Sequence, residues 1–296
     1  RSTLFPYTTL FRSRSLEGYL QEDDIQAISQ EELDVIMGVA TTPNALKALI
    51  ANSTSGDLSE DLTLEEQLII PAGKNFTLDL NGHNLESNDA QPAIVVNGGT
   101  LTLKGEGEAS NQGTVVVAAN GGRVIVNGGD YNSANNFAFA AQDGGKVVIN
   151  DASIESQEGG VGAFTGGQIE INGGVISARD NFAVFTNGSS GKGGNTIIVN
   201  GGSLVSNIVS GGYEACGIYI ANNDTFVMNG GEILANNGCG ILMRGGNVTI
   251  NDGTIVATGV AGTSGWVGDN KTKMSKSAVI FHRSRSEERF SRNAET

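Results

Sequence analysis

The chain has 296 residues, of which 39% are hydrophobic and 17% charged, a balance compatible with a packed core rather than disorder. Its net charge of −14 argues against nucleic acid and anionic lipid as partners, since binding either draws on clustered Lys and Arg. Two Cys say nothing firm about compartment, and His83 and His282 are too far apart to build a zinc site or a Ser/His/Asp triad.

In chain order, the first segment, 1–13, does not match the rest in composition. Leu10-Phe11-Arg12-Ser13 can be encoded by CTC TTC CGA TCT, whose reverse complement, AGA TCG GAA GAG, encodes Arg-Ser-Glu-Glu, as at Arg285 to Glu288. Both 1–13 and 285–296 resemble translated sequencing adapters and are set aside from fold reasoning. All 43 Gly lie between them. What remains, 14–284, reads as an open piece of a longer chain, so the lack of a leader or membrane span in it carries no information.

Segment 14–56 reads as a helical cap or attachment segment. "LQEDDIQAISQEELDVIMG" and "TTPNALKALIANS" are two short helices, and Thr42 before Pro43 is a start signal for the second. The apolar "NALKALI" suits covering the open end of a sheet, while the acidic first helix suits docking on a larger assembly.

From 57 to 284 the chain repeats itself. Stretches such as "RVIVNGGDY", "KVVINDASI", "QIEINGGVI" and "TIIVNGGSL" recur every 22 or 23 residues, with two longer units of 28 and 29. The turn after the first strand begins at Asn81, Lys104, Asn127, Asn150, Asn172, Asn200, Asn229 and Asn251. Alternation predicts Leu78/Leu80, Leu101/Leu103, Val124/Val126, Val147/Ile149, Ile169/Ile171, Ile197/Val199, Phe226/Met228 and Val248/Ile250 as the inward face of strand one. A second apolar column follows at Leu85, Tyr131, Ile154, Ile176, Leu204, Ile233 and Ile255. A third strand closes each unit at 93–96, 114–118, 137–140, 161–164, 182–185, 217–220, 240–243 and 278–281. Three strands per unit predict an all-β solenoid in which each coil buries its apolar edge against its neighbours.

On these motifs the chain resembles a right-handed, single-stranded parallel β-helix of the pectate-lyase-like kind. Asn at the bend suits left-handed geometry, Gly beside it removes the Cβ penalty, and stacked Asn side chains can hydrogen-bond as a ladder. Asn81, Asn127, Asn150, Asn172, Asn200, Asn229 and Asn251 are the predicted ladder, which Lys104 interrupts.

Enzymes of this fold act on acidic or neutral polysaccharides through clusters of acids and bases on one face, so the resemblance directs attention to outward positions. On strand one these are Asp79, Thr102, Ile125, Val148, Glu170, Ile198, Val227 and Thr249. Asp79 and Glu170 are about 19 Å apart at one strand spacing per coil, too far for the pair of a glycosidase, which works at about 5 to 9.5 Å. Ile125/Val148 and Ile198/Val227 point instead to a covered or self-associating surface, as along a fibre trimer.

The turn between strands two and three aligns Asp89, Gln112, Asn135, Glu158 and Asp180. Glu158 and Asp180 fall on adjacent coils, about 5 Å apart, where two carboxylates could share a proton or hold Ca²⁺. The same edge carries two excursions, "SNIVSGGYEA" and "TGVAGTSGWVGDNKTKMSKS". They bring Tyr213, Glu214, Trp266 and Asp269 within reach of one patch, the kind of aromatic face with acids on which a sugar ring stacks. Cys216 and Cys239 stack as buried thiols rather than a disulfide, since strand spacing exceeds the Cβ separation a bridge requires.

The resulting expectation is a non-enzymatic fibre or adhesin at a cell or virion surface, without a cofactor, binding glycans or a host receptor. The alternative is a polysaccharide lyase or glycoside hydrolase using Glu158 and Asp180.

Overall fold

The computed structural model describes residues 28–187, 193–207, 216–221, 223–259, 264–266, 273–275 and 280–282. Within them the chain forms a parallel β-solenoid with two short helices at its start, and its strands pair in parallel with their counterparts one coil on. The exception is an antiparallel hairpin of Ser264–Trp266 with Lys273–Ser275.

A residue that recurs every 22 or 23 positions stacks on its own counterpart, and this converts the repeat into a core. Val124, Val147, Ile169, Ile197 and Phe226 are register partners on successive coils, each at most 1% exposed. Insertions of five or six residues leave this register intact because they sit in the turns. At the last described coil the same column opens: Val248 and Ile255 are partly buried and Ile250 is 39% exposed. No described strand pairs with the far side of Asn247–Ile250.

The pairing moves one predicted register. Phe76 and Leu78, not Leu78 and Leu80, stand opposite Leu101 and Leu103. Leu80 is still fully buried, but it lies past the strand end. In the two coils after Thr100–Lys104 the first and second strands merge, as Arg123–Ser133 and Lys146–Ser156, with the register shift of a bulge at Asn127.

The corners are glycine devices, but left-handed geometry does not fall on the corner Asn as expected. Asn81 alone of the predicted ladder has positive φ, 50°. After strand one it falls on the second residue beyond the Asn instead, at Gly174, Gly202, Gly231 and Gly253, while the Asn amide reaches the neighbouring coil.

The corner before strand one was not anticipated. In Ala119 to Gly122 both central residues have positive φ, 52° at Asn120 and 76° at Gly121, and Gly122 N–H donates to the Ala119 carbonyl at 2.8 Å. That is the requirement of a type I′ turn. It recurs at Asp143-Gly144 and Thr165-Gly166. The following Gly has no room for a side chain: a Cβ on Gly122, Gly145 or Gly167 would lie 2.0, 2.2 or 2.1 Å from a carbonyl oxygen of the preceding coil. Later coils fill this column with polar side chains. Asn195 accepts from Gly167 N–H at 3.0 Å, and its own main-chain N–H and side-chain amide donate to the buried Asp224 carboxylate.

The cap forms where predicted, with the first helix shorter. Helix Gln30–Met37 opens on a capping box, Ser29 with Glu32, and stops at left-handed Gly38. Helix Pro43–Asn52 opens on Thr42, whose hydroxyl accepts from Ala45 N–H at 3.1 Å. Ala45, Leu46, Leu49 and Ile50 are buried, and Leu49 fills the space that a Cβ on Gly56 would occupy. The parallel sheet begins between the helices, where Val39–Ala40 pairs with the strand Ser55–Leu58.

Candidate functional site

The corner Asn residues form a continuous side-chain ladder. Asn150 donates to Asn127 at 2.7 Å, Asn172 to Asn150 at 2.8 Å, Asn200 to Asn172 at 2.8 Å, Asn229 to Asn200 at 2.8 Å and Asn251 to Asn229 at 2.7 Å. Every amide is thus a donor to the earlier coil and an acceptor from the later one, save at the ends. Asn81 stands outside it and donates to the Leu58 carbonyl at 2.9 Å. The residue opposite Lys104 in register is Asp79, and the two form an ion pair.

Two further ion pairs join successive coils in the same way. Lys146 meets Glu170 at 2.7 Å, and Arg179 meets Glu155 at 2.5 Å. The hydrogen bond from Lys146 holds the Glu170 carboxyl below its ordinary pKa, and that from Arg179 does the same for Glu155. Glu170 also interrupts the outward apolar column of strand one, between a buried Val148 and a half-buried Ile198. Charge and amides here hold coil to coil.

Glu158 and Asp180 are both exposed and lie on adjacent coils, with Asp180 N–H donating to the Gln157 carbonyl at 3.0 Å. Among the described residues there is no group of three or more His, Cys, Asp or Glu placed to hold a metal ion. Tyr213, Glu214 and Asp269 lie outside the described residues, and Trp266 is described only as the end of the hairpin strand Ser264–Trp266. Cys216 and Cys239 are buried thiols opposite one another in register.

The surface that sequence reasoning missed is the outer face of the third sheet, nine strands from Leu68–Ile70 to Ile280–His282. None of those strands contains an Asp, Glu, Lys or Arg. Register aligns Ile69, Val95, Val117, Ala140, Gly162, Phe185 and Tyr219 in one outward column. Beside it, Phe137, Phe164 and Phe182 complete an aromatic stripe. Ring centroids are 5.5 Å apart for Phe137 and Phe164, 5.1 Å for Phe137 and Phe185, 5.1 Å for Phe182 and Phe185, and 5.2 Å for Phe182 and Tyr219.

Glycine makes that stripe possible. A Cβ on Gly159 would lie 2.8 Å from the Phe185 ring and one on Gly162 would lie 2.6 Å from it, so Phe185 lies flat over a floor without side chains. The signal was present in "FAFAAQ", "GGVGAF" and "FAVFTN", which are apolar on both faces instead of alternating, as strands covered on both sides are. At the strand ends the charges return, with Glu158 and Asp180 before the strands and Asp143 after them.

Comparison with protein families, with curated proteins and with solved structures found no match to this chain. The fold and the arrangement of its faces therefore carry the functional argument alone.

Proposed function

We infer that the chain is a non-enzymatic structural protein of a cell or virion surface, a fibre or adhesin, which holds a glycan- or receptor-binding edge on a stiff solenoid. The observation that supports this reading is the use made of its polar side chains. The Asn ladder and the Lys104–Asp79, Lys146–Glu170 and Arg179–Glu155 pairs all link one coil to the next, which is what a rigid spacer requires. The binding edge is assigned from the sequence alone to the turn between strands two and three, with Tyr213, Glu214, Trp266 and Asp269 as its ligand-binding residues. Helix Gln30–Met37, with Glu31, Glu32 and the exposed Ile36 and Met37 on its surface, suits the docking end of such a fibre.

The test is binding of the folded protein to an array of surface glycans, repeated with Trp266→Ala. Binding that Trp266→Ala abolishes supports the reading. Binding that survives the substitution moves the site elsewhere. Release of reducing ends or unsaturated sugars from a polysaccharide, lost in Glu158→Gln, would replace this reading with that of an enzyme.

A further inference from the structure

We propose that Asn127, the first rung of the continuous Asn ladder, is a site of spontaneous deamidation and the first of the ladder's Asn-Gly pairs to convert. The proposal goes beyond the fibre reading and stands without it.

The sequence supplies four nearly equivalent candidates. Asn127, Asn172, Asn200 and Asn229 are each followed by Gly-Gly and preceded by Val126, Ile171, Val199 and Met228. In such a pair the main-chain nitrogen of the Gly attacks the side-chain carbonyl carbon of the Asn, and the missing Cβ leaves that approach open. The new C–N bond closes a succinimide ring, the bond to the amide nitrogen breaks, and ammonia leaves. Water then opens the ring at the side-chain carbonyl to give Asp, or at the main-chain carbonyl to give isoaspartate. No oxidant or cofactor enters. All four Asn are exposed, so any difference in their rates comes from how the fold holds them.

The first difference is anchoring. Asn172, Asn200 and Asn229 each donate to the Asn of the earlier coil and accept from that of the later one. Asn127 accepts from Asn150 at 2.7 Å, but among the described residues no acceptor meets its own amide nitrogen. The earlier coil offers Lys104 at that place, after the Leu103 that pairs with Val126, and the Lys104 ammonium is taken by Asp79. One hydrogen bond fewer holds the Asn127 side chain away from the Gly128 nitrogen, a factor of roughly three to ten in rate.

The second difference is the backbone. Register shifts on both sides of Asn127, which pairs with Asp151 instead of Asn150. Gly128 and Gly129 both have positive φ, 152° and 88°, whereas after the other three Asn only the second Gly does, at Gly174, Gly202 and Gly231. Ring closure bends the chain at the Asn-Gly bond, and at Asn127 a bulge without side chains on its next two residues already bends it.

The product also fits this rung. An Asp in place of Asn127 still accepts from Asn150, and no amide oxygen of an earlier coil faces its carboxylate. At Asn172 the same change turns a carboxylate toward the Asn150 amide oxygen and Glu170. Conversion at Asn127 thus adds a charge to the end of the ladder and leaves the rungs beyond it joined.

The test is incubation of the full chain at mildly alkaline pH, with peptide mass mapping to locate each amide-to-acid conversion and an isoaspartate-specific methyltransferase to detect the second product. Asn127 should convert roughly threefold to tenfold faster than Asn172, Asn200 and Asn229 in the folded protein, and all four should convert alike in urea. Asp79→Asn combined with Lys104→Asn supplies the missing acceptor and should slow Asn127 by the same factor. If that double variant fails to fold, Asn172→Ala makes Asn200 the end of a shortened ladder and should speed Asn200 by that factor. Conversion of Asn127 no faster than that of the other three overturns the proposal. So does a rate at Asn127 that the double substitution leaves unchanged, or a rate at Asn200 that Asn172→Ala leaves unchanged.

Discussion

Lys104 stands opposite Asp79 in parallel register and forms an ion pair with it, at the position that Asn127, Asn150 and Asn172 occupy on later coils. One column along the solenoid thus joins coils by two different chemistries. The hydrogen bond to Asp79 raises the Lys104 pKa, so the ammonium is the form the fold selects. Replacing Asp79 and Lys104 together by Asn should extend the ladder by two positions and leave thermal stability near that of the parent. Lys104→Asn alone should lower the melting temperature, because it leaves Asp79 without its cation.

The ladder has a direction. Asn172 donates to Asn150 and accepts from Asn200, both at 2.8 Å. Asn172→Ala removes two bonds and should cost about 1 to 3 kcal/mol in urea denaturation. Asn172→Asp keeps the acceptor but turns a carboxylate oxygen toward the Asn150 amide oxygen and the Glu170 carboxylate, so at neutral pH it should cost at least as much as Ala. An Asn172→Asp protein as stable as the parent would show that the bond to Asn150 contributes nothing.

Two neighbouring glycines should respond differently to Ala. Gly144 has positive φ, 75°, and open space around its Cβ position. Gly144→Ala should therefore cost about 1 to 2 kcal/mol, the strain of a left-handed residue. Gly145 has no room, since its Cβ would lie 2.2 Å from the Ala118 carbonyl oxygen. Gly145→Ala should cost about 3 kcal/mol or more, because backbone of the adjacent coil must move. Calorimetry on the pair checks the order.

Acid should weaken the solenoid through its coil-to-coil pairs. Glu155 and Glu170 have lowered pKa values in the fold, so their contribution is present above the ordinary carboxylate value of about 4.3 and is lost as pH falls through the lower, folded value. The pairs are substantially exposed, so each should contribute under about 1 kcal/mol. Glu170→Gln should flatten the fall in melting temperature between about pH 5 and pH 2.

Alkali should act at Tyr131, which is 1% exposed, packs edge-on to Phe139 at 4.9 Å and donates its hydroxyl to the Gly128 carbonyl at 3.0 Å. Burial raises its pKa beyond the phenol range. The fold favours the neutral form, so stability is whole below the unfolded value of about 10 and declines as pH rises above it. Tyr131→Phe should remove that alkaline decline and cost about 1 kcal/mol at neutral pH for the lost bond.

Periodicity in the sequence determined the solenoid, its three strands per coil, the inward columns and the cap helix that begins at Pro43, because a parallel stack repeats its environment at every coil. The Asn ladder was legible for the same reason from Asn127 onward. It failed at Asn81, because register in the first coils is set by Phe76 and Leu78 pairing with Leu101 and Leu103, a contact between strands that spacing alone does not reveal. The turn before strand one escaped notice because its second Gly is needed for the closeness of the preceding coil rather than for its own φ. Only the tertiary structure decided where charge is absent. Among the described residues the third sheet gathers nine strands, eight of them predicted singly, into one face whose own strands carry no acid or base, with Arg244 reaching the Tyr219 hydroxyl at its edge. Stacking sums along a sheet what the sequence scatters.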